Sequence, residues 1–329
     1  LLGESWSAVP ADELLRTTTP PARRAIERAR AEPDRLLCVV GPTASGKSAL
    51  ALAIAEVLGG EIISADSVQI YRGFDIGSGK PTAAEMERVR HHLVGTHDPL
   101  QPVDAASWAK LAEAAIADVR ARGKVPIVCG GTYFWIRALV LGLVAAPAAD
   151  AAIRARHRAL VEGEGRAALH EKLKRVDPQS ASRLHPNDVV RVSRALEVWE
   201  LTGRRMSEWQ QEHGFKTRRF EATMLAIHRD NAALGARIEE RARAMLAAGW
   251  LDEVRGLLEA GYGEARAMGA VGYAEVRAHI EGKLPEAELL PAIVRSTRVF
   301  ARRQRTWLKH AEIEWLEPEE RRATEERSE

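Results

Sequence analysis

Cysteine is scarce in this chain: only Cys38 and Cys129 occur in 329 residues. Two cysteines exclude a disulfide framework or a cysteine-based zinc site, and both stand in apolar, strand-like runs where a small buried thiol is the ordinary reading. No apolar run approaches the roughly 20 residues a membrane span needs. The chain does not open on a basic stretch followed by an apolar core, so no secretory leader and a cytoplasmic location are expected. Repeats and long low-complexity tracts are also missing. Aromatic residues amount to 5 %; Tyr71, Phe134 and Trp135 read as core at least as well as site residues, and His91, His92 and His97 lack metal-ligand spacing.

A large net charge is absent too, the total being +2, yet the charge is unevenly spread. Residues 35–150 carry 11 Lys/Arg and 11 Asp/Glu, residues 151–220 carry 15 against 9, and residues 291–310 carry six basic side chains and no acid. A local basic surface on a near-neutral protein suggests a polyanionic partner.

What is present starts with Leu36-Leu37-Cys38-Val39-Val40, followed by Gly41-Pro42-Thr43-Ala44-Ser45-Gly46-Lys47-Ser48 and an apolar helical run to Leu58. Strand, G-x-x-x-x-G-K-[ST] loop and helix in that order define a P-loop, in which backbone N–H groups and a helix N-terminus converge on a di- or triphosphate, Lys47 adds charge and Ser48 offers a hydroxyl to Mg²⁺. Glu61–Ser64 reads as a second strand, ending at Asp66-Ser67-Val68-Gln69; ligands gather at strand carboxyl ends, so Asp66 should face the crevice of Lys47. A glycine-rich loop, Asp75 to Pro81, follows. Residues 125–129 form a further buried strand whose turn, Gly130-Gly131-Thr132, should place Thr132 beside the P-loop. That strand ends without the carboxylate that nucleotide hydrolases place there.

From Ala145 to Phe220 every segment is helical in pattern and basic, with helix caps at Asn187 or Asp188 and Arg191 and Arg194 three apart on one face. Strand character returns at Thr223–His228. The last helix, Pro285 to His310, places Arg295, Arg298, Arg302, Arg305 and Lys309 in one basic stripe, and Ile313–Leu316 suits a final strand. The expected architecture is α/β: a P-loop NTPase-like parallel sheet with helices on both faces and an inserted all-helical subdomain. Its segments are an extension outside the core (1–35), the first part of the core (36–144), a helical insertion (145–220), the second part of the core with the basic helix (221–317) and a charged tail (318–329).

These motifs together resemble the tRNA dimethylallyltransferases, also called tRNA isopentenyltransferases, from about Leu36 to Leu316. The resemblance is carried by the P-loop, Asp66 to Gly73, Asp75-Ile76-Gly77 with Lys80-Pro81, and Gly130-Gly131-Thr132. It continues through His185-Pro186-Asn187-Asp188, Arg194 to Val198 with Thr202-Gly203, Val271-Gly272-Tyr273 and Arg303-Gln304-Arg305-Thr306-Trp307. It implies that Gly41 to Ser48 bind the diphosphate of dimethylallyl diphosphate together with Mg²⁺ at Ser48. It implies transfer of the dimethylallyl group to the exocyclic N6 of the adenosine 3′ of the anticodon, adenosine 37, by a monomer that grips the anticodon stem-loop. Asp66 matches the family's general base, and Ser48 and Arg237 its diphosphate-stabilising groups, with Arg241 as second choice. Asp66, Ser67, Val68, Gln69, Thr132, Arg154, Arg191 and Arg194 match positions that meet the tRNA. Val190 departs from the family, which has glutamine there. Two other activities share the P-loop: prenylation of free adenine nucleotides, and a small-molecule kinase.

Overall fold

The computed structural model describes residues 18–214, 218–309 and 311–318; expectations for residues 1–17 and for the tail after Pro318 lie outside them. Strands β1 (Leu36–Val40), β2 (Glu61–Ser64), β3 (His91–His92), β4 (Pro126–Gly130), β5 (Ala222–Ile227) and β6 (Glu314–Leu316) form one sheet in the order β3-β2-β4-β1-β5-β6, every pairing parallel. The four longest strands are apolar runs rather than alternations because both their faces are covered. Burial pushes the Cys38 thiol up to about 12 and that of Cys129 up to about 11, so both stay neutral, as small core residues should.

Helices α1 (Pro20–Ala31) and α2 (Lys47–Leu58) cover one face, against Leu37, Val39, Ile127 and Leu225. The extension expected outside the core is therefore partly inside it: Ala22, Ala25 and Ile26 are fully buried. Their spacing makes a narrow apolar stripe, and the arginines around it hide that stripe from a compositional reading. After α3 (Ala83–Arg88), helix α4 (Ala105–Ala121) contacts β2 and β4. Its fully buried Trp108 donates from Nε1 to the Ser64 carbonyl at 3.0 Å and stacks on Trp135 of α5 (Tyr133–Leu141), with ring centroids 5.3 Å apart.

The chain divides into two units, residues 141–219 and the remainder. The smaller holds α6 (Ala151–Glu164), α7 (Arg166–Val176), α8 (Pro178–Arg183), α9 (Val189–Thr202) and α10 (Met206–His213) around Leu169, Leu173, Val192 and Leu196. Two buried acids organise it. Asp177 accepts from the Ser180 N–H and hydroxyl and from the Ser207 N–H. Glu197 accepts from the Asp150 N–H, from Arg154 and, at 2.6 Å, from Arg194, whose other Nη reaches the Pro147 carbonyl. In the larger unit the chain resumes with α11 (Asn231–Ala247), α12 (Trp250–Glu259), α13 (Tyr273–Ile280) and α14 (Glu286–Leu308). No helix among the described residues is long and apolar enough to cross a membrane.

Candidate active site

The loop between β1 and α2 turns on Gly46 (φ 97°) and on Ala44, a non-glycine residue held at φ 62°. Three cations tie its carbonyls: Arg237 Nε donates to Ala44 O at 2.9 Å, Arg229 Nε to Ser45 O at 3.0 Å, and Lys47 Nζ to Pro42 O at 3.4 Å. With carbonyls occupied, the first N–H groups of α2, which have no intrahelical acceptor, remain for an anion. Thr43 is different, since its N–H donates to Gln304 Oε1 at 2.9 Å, and Pro42 has no N–H to offer. The Ser45 hydroxyl is buried with no partner.

Because β4 lies between β1 and β2, three strand ends meet at one place. The Gly130–Thr132 turn approaches the β2 end so closely that a Cβ on Gly130 would sit 2.1 Å from the Ala65 carbonyl. Thr132 N donates to that carbonyl at 3.1 Å, and its Oγ1 accepts from the Ser67 N–H at 3.2 Å. Asp66 Oδ1 accepts from the N–H groups of Val68 (2.9 Å) and Gln69 (3.3 Å). Gln304 of α14 closes the arrangement, since its Nε2 donates to Gly131 O at 3.0 Å while its Oε1 holds Thr43. One buried amide thereby joins the P-loop to the β4 turn.

These groups line a cavity of about 600 Å³ whose wall mixes Lys47, Ser48, Asp66, Thr132 and Arg241 with apolar Ile238, Met245, Val271 and Ile293. Burial draws the Lys47 ammonium below its ordinary range; the Asp66 carboxylate opposes this and Arg241 adds to it. Burial likewise lowers Arg241, against Asp66 and with Arg237. Cations held this way favour a bound polyanion, which offsets the cost of burying their charge. The remaining wall is the loop from Asp75 to Pro81. Glu253 accepts from three successive N–H groups, Asp75, Ile76 and Gly77, at 2.9, 2.5 and 3.2 Å. Tyr273 donates its hydroxyl to Glu253 at 2.7 Å and accepts from the Ser78 N–H. Burial and the adjacent Glu253 push the Tyr273 phenol well up, so it stays a donor. Gly77 lies flat on Trp250, where a Cβ would fall 2.0 Å from the indole nitrogen.

The structure thus brings together Gly41 to Ser48, Asp66, Ser67, Val68, Gln69 and Thr132. Gln69 is already engaged: Ser64 Oγ donates to its Oε1, and its Nε2 donates to the carbonyls of Ser78 and Gly79. Of the two arginines, Arg241 lines the cavity, whereas Arg237 holds the P-loop backbone from outside it. In the helical unit Arg154 and Arg194 neutralise Glu197, Arg191 is exposed and pairs with Asp188, and Val190 is exposed. Sequence reasoning missed Glu253, Trp250 and the bridging role of Gln304. Glu253 reads locally as an ordinary acid in a helix first turn, and only its three distant N–H partners distinguish it.

A parallel sheet whose glycine-rich loop opens on a cavity with a carboxylate and an apolar wall defines a P-loop-like α/β protein. Residues 69–311 match the family model described as IPP transferase. The chain is 61 % identical over 300 residues to the tRNA dimethylallyltransferase of Sorangium cellulosum, covering 91 % of this chain and 92 % of that protein, and 48 % identical to that of Geobacter metallireducens, covering 87 % and 93 %. Among solved structures it resembles the tRNA isopentenylpyrophosphate transferase of Bacillus halodurans (34 % identity, TM-score 0.64, covering 86 % of this chain and 90 % of that one). It also resembles a eukaryotic dimethylallyltransferase acting on tRNA (26 % identity, TM-score 0.72, covering 86 % and 73 %). The chain belongs to the tRNA dimethylallyltransferase family.

Proposed function

We propose that this protein transfers the dimethylallyl group of dimethylallyl diphosphate to N6 of the adenosine 3′ of a tRNA anticodon, adenosine 37, releasing diphosphate. The observation that carries the reading is the convergence of a phosphate cradle, an unshared carboxylate oxygen and an apolar wall in one cavity. N6 attacks the allylic C1, the C1–O bond breaks with its electron pair leaving on diphosphate, and Asp66 takes the amine proton as the C–N bond forms. Lys47, Arg241 and the α2 N-terminus hold the charge that gathers on the departing oxygen, while Arg237 and Arg229 keep the loop in shape. Thr132 and Ser67, which line the cavity with Asp66, are assigned the reading of the adenine edge.

Among the described residues no cluster of His, Cys, Asp and Glu could hold a metal by itself. The Ser48 hydroxyl lines the cavity and suits a hard cation that shares its shell with phosphate oxygens and water. Mg²⁺ held at Ser48 would neutralise part of the diphosphate charge. Arg191, exposed on the helical unit, is a basic contact for the anticodon stem-loop. One chain supplies every group invoked, so we propose a monomer, and a tRNA substrate makes the cytoplasm the proposed location.

The test is incubation with labelled dimethylallyl diphosphate and Mg²⁺, offering bulk tRNA or free AMP as acceptor. Label should enter tRNA at the position 3′ of the anticodon. Label in AMP alone would indicate a nucleotide prenyltransferase, and tight ATP binding with phosphoryl transfer would indicate a kinase.

A further inference from the structure

Among the described residues five aromatic side chains are conspicuously exposed, and three of them lie toward one rim: Phe134, Phe300 and Trp307, each 40 to 48 % accessible. Phe134 and Phe300 line the cavity, and the Trp307 ring lies 6.4 Å from that of Phe134 at an interplanar angle of 48°. Gln304 fixes this placement. It stands between Phe300 and Trp307 on one face of α14, and its two hydrogen bonds pin that face to the P-loop and to the turn that precedes Phe134. Arg303 stands exposed on the same side of α14 as the two rings, and no carboxylate pairs with it among the described residues. Isolated surface aromatics need no explanation, but a tilted pair at a cavity mouth with an unpaired guanidinium alongside has the chemistry of a single-stranded nucleic-acid platform.

We propose that Phe134, Phe300 and Trp307 stack an unpaired base next to the acceptor adenosine, while Arg303 takes a neighbouring phosphate. The acceptor can enter the cavity only by leaving its own stack, and the aromatic rim replaces the contact that its neighbour loses. This inference rests on the proposed tRNA substrate. It assigns the rim to a base and not to the allylic group, because the rings are open to solvent.

Stacking releases few counterions, so it separates from phosphate binding by its salt dependence. Trp307→Ala and Phe134→Ala should each weaken tRNA binding about 5- to 150-fold. The slope of log affinity against log salt and the affinity for dimethylallyl diphosphate should remain unchanged, and Trp307→Phe should restore most of the loss. Wild-type tRNA affinity in both alanine variants, or a loss accompanied by a flatter salt slope or by lost diphosphate binding, would overturn the proposal. So would a concentration-dependent wild-type dimer abolished by Trp307→Ala, which assigns the rim to a second copy. If the wild-type protein binds no tRNA, the proposed function fails together with the rim; if it prenylates tRNA and the variants match it, only the rim fails.

Discussion

Replacing Asp66 with asparagine tests the chemistry with little disturbance of the scaffold. Oδ1 accepts the Val68 and Gln69 N–H bonds that shape the turn after β2, and an asparagine carbonyl keeps both. Only the second oxygen becomes an amide, which can hydrogen-bond an adenine amine but cannot take its proton. Loss of a positioned base typically costs 10² to 10⁴ in rate, about 3 to 5 kcal/mol of barrier. Binding should move differently. Lys47 and Arg241 both face the Asp66 charge, so its removal should leave diphosphate affinity equal or tighter. Single-turnover rates at saturating tRNA and dimethylallyl diphosphate, with calorimetric titration of each ligand and a melting curve, measure all of these. A wild-type rate would remove Asp66 from proton transfer. A rate preserved at saturation with much weaker diphosphate binding would make it a Mg²⁺ ligand instead.

Gln304→Ala should cost about 1 to 3 kcal/mol for each of the two backbone groups left unpaired, Thr43 N–H and Gly131 C=O, and should weaken diphosphate binding although Gln304 lies outside the P-loop; urea unfolding and calorimetry check both, and an unchanged midpoint refutes the bridge. Arg191→Ala should lower the salt slope of tRNA binding by about 0.7 to 0.9 with the midpoint unmoved, whereas Arg194→Ala should destabilise the helical unit by roughly 1 to 3 kcal/mol, because buried Glu197 loses a charged donor; equal behaviour of the two variants would contradict the difference in their surroundings. Acid should unfold the protein through its buried carboxylates. Hydrogen bonds from Arg122 chiefly, then from His92 and Lys124, hold Glu61 far below the usual range. Burial raises Asp177 and Glu197, but hydrogen bonds from Ser180 and Ser207 and from Arg154 and Arg194 outweigh it, so both are lowered. Each folded pKa lies below its unfolded value, so the stability these groups contribute is complete above about pH 4 to 4.5 and is lost as the pH falls below that. Glu61→Gln should flatten the acid limb of a stability–pH curve, and an unchanged limb would exclude Glu61 as a contributor.

Local pattern was enough for the P-loop, the order of strands and helices, the helical block and the basic stripe, because each is written in residues a few positions apart. The strand after Lys124 is a short apolar run between a glycine and a glycine pair, and it can hardly be anything else. The burial of α1 was not legible, since three small apolar residues among arginines signal a core face only once a sheet is there to receive them. The two arginines of α11 show the same limit: Arg237 and Arg241 share a helix face, and only the packing of α11 beside the P-loop turns one to the loop's carbonyls and the other into the cavity. Arg154 is separated in sequence by 43 residues from its acid, Glu197, and although Arg194 has that acid three residues on, only the packing of the helices shows that Glu197 is buried and holds both. Glu253 and Gln304 act on backbone groups 176 to 178 and 173 to 261 residues away. A hydrogen bond over that span leaves no periodicity to read, so their roles exist only after the chain has folded.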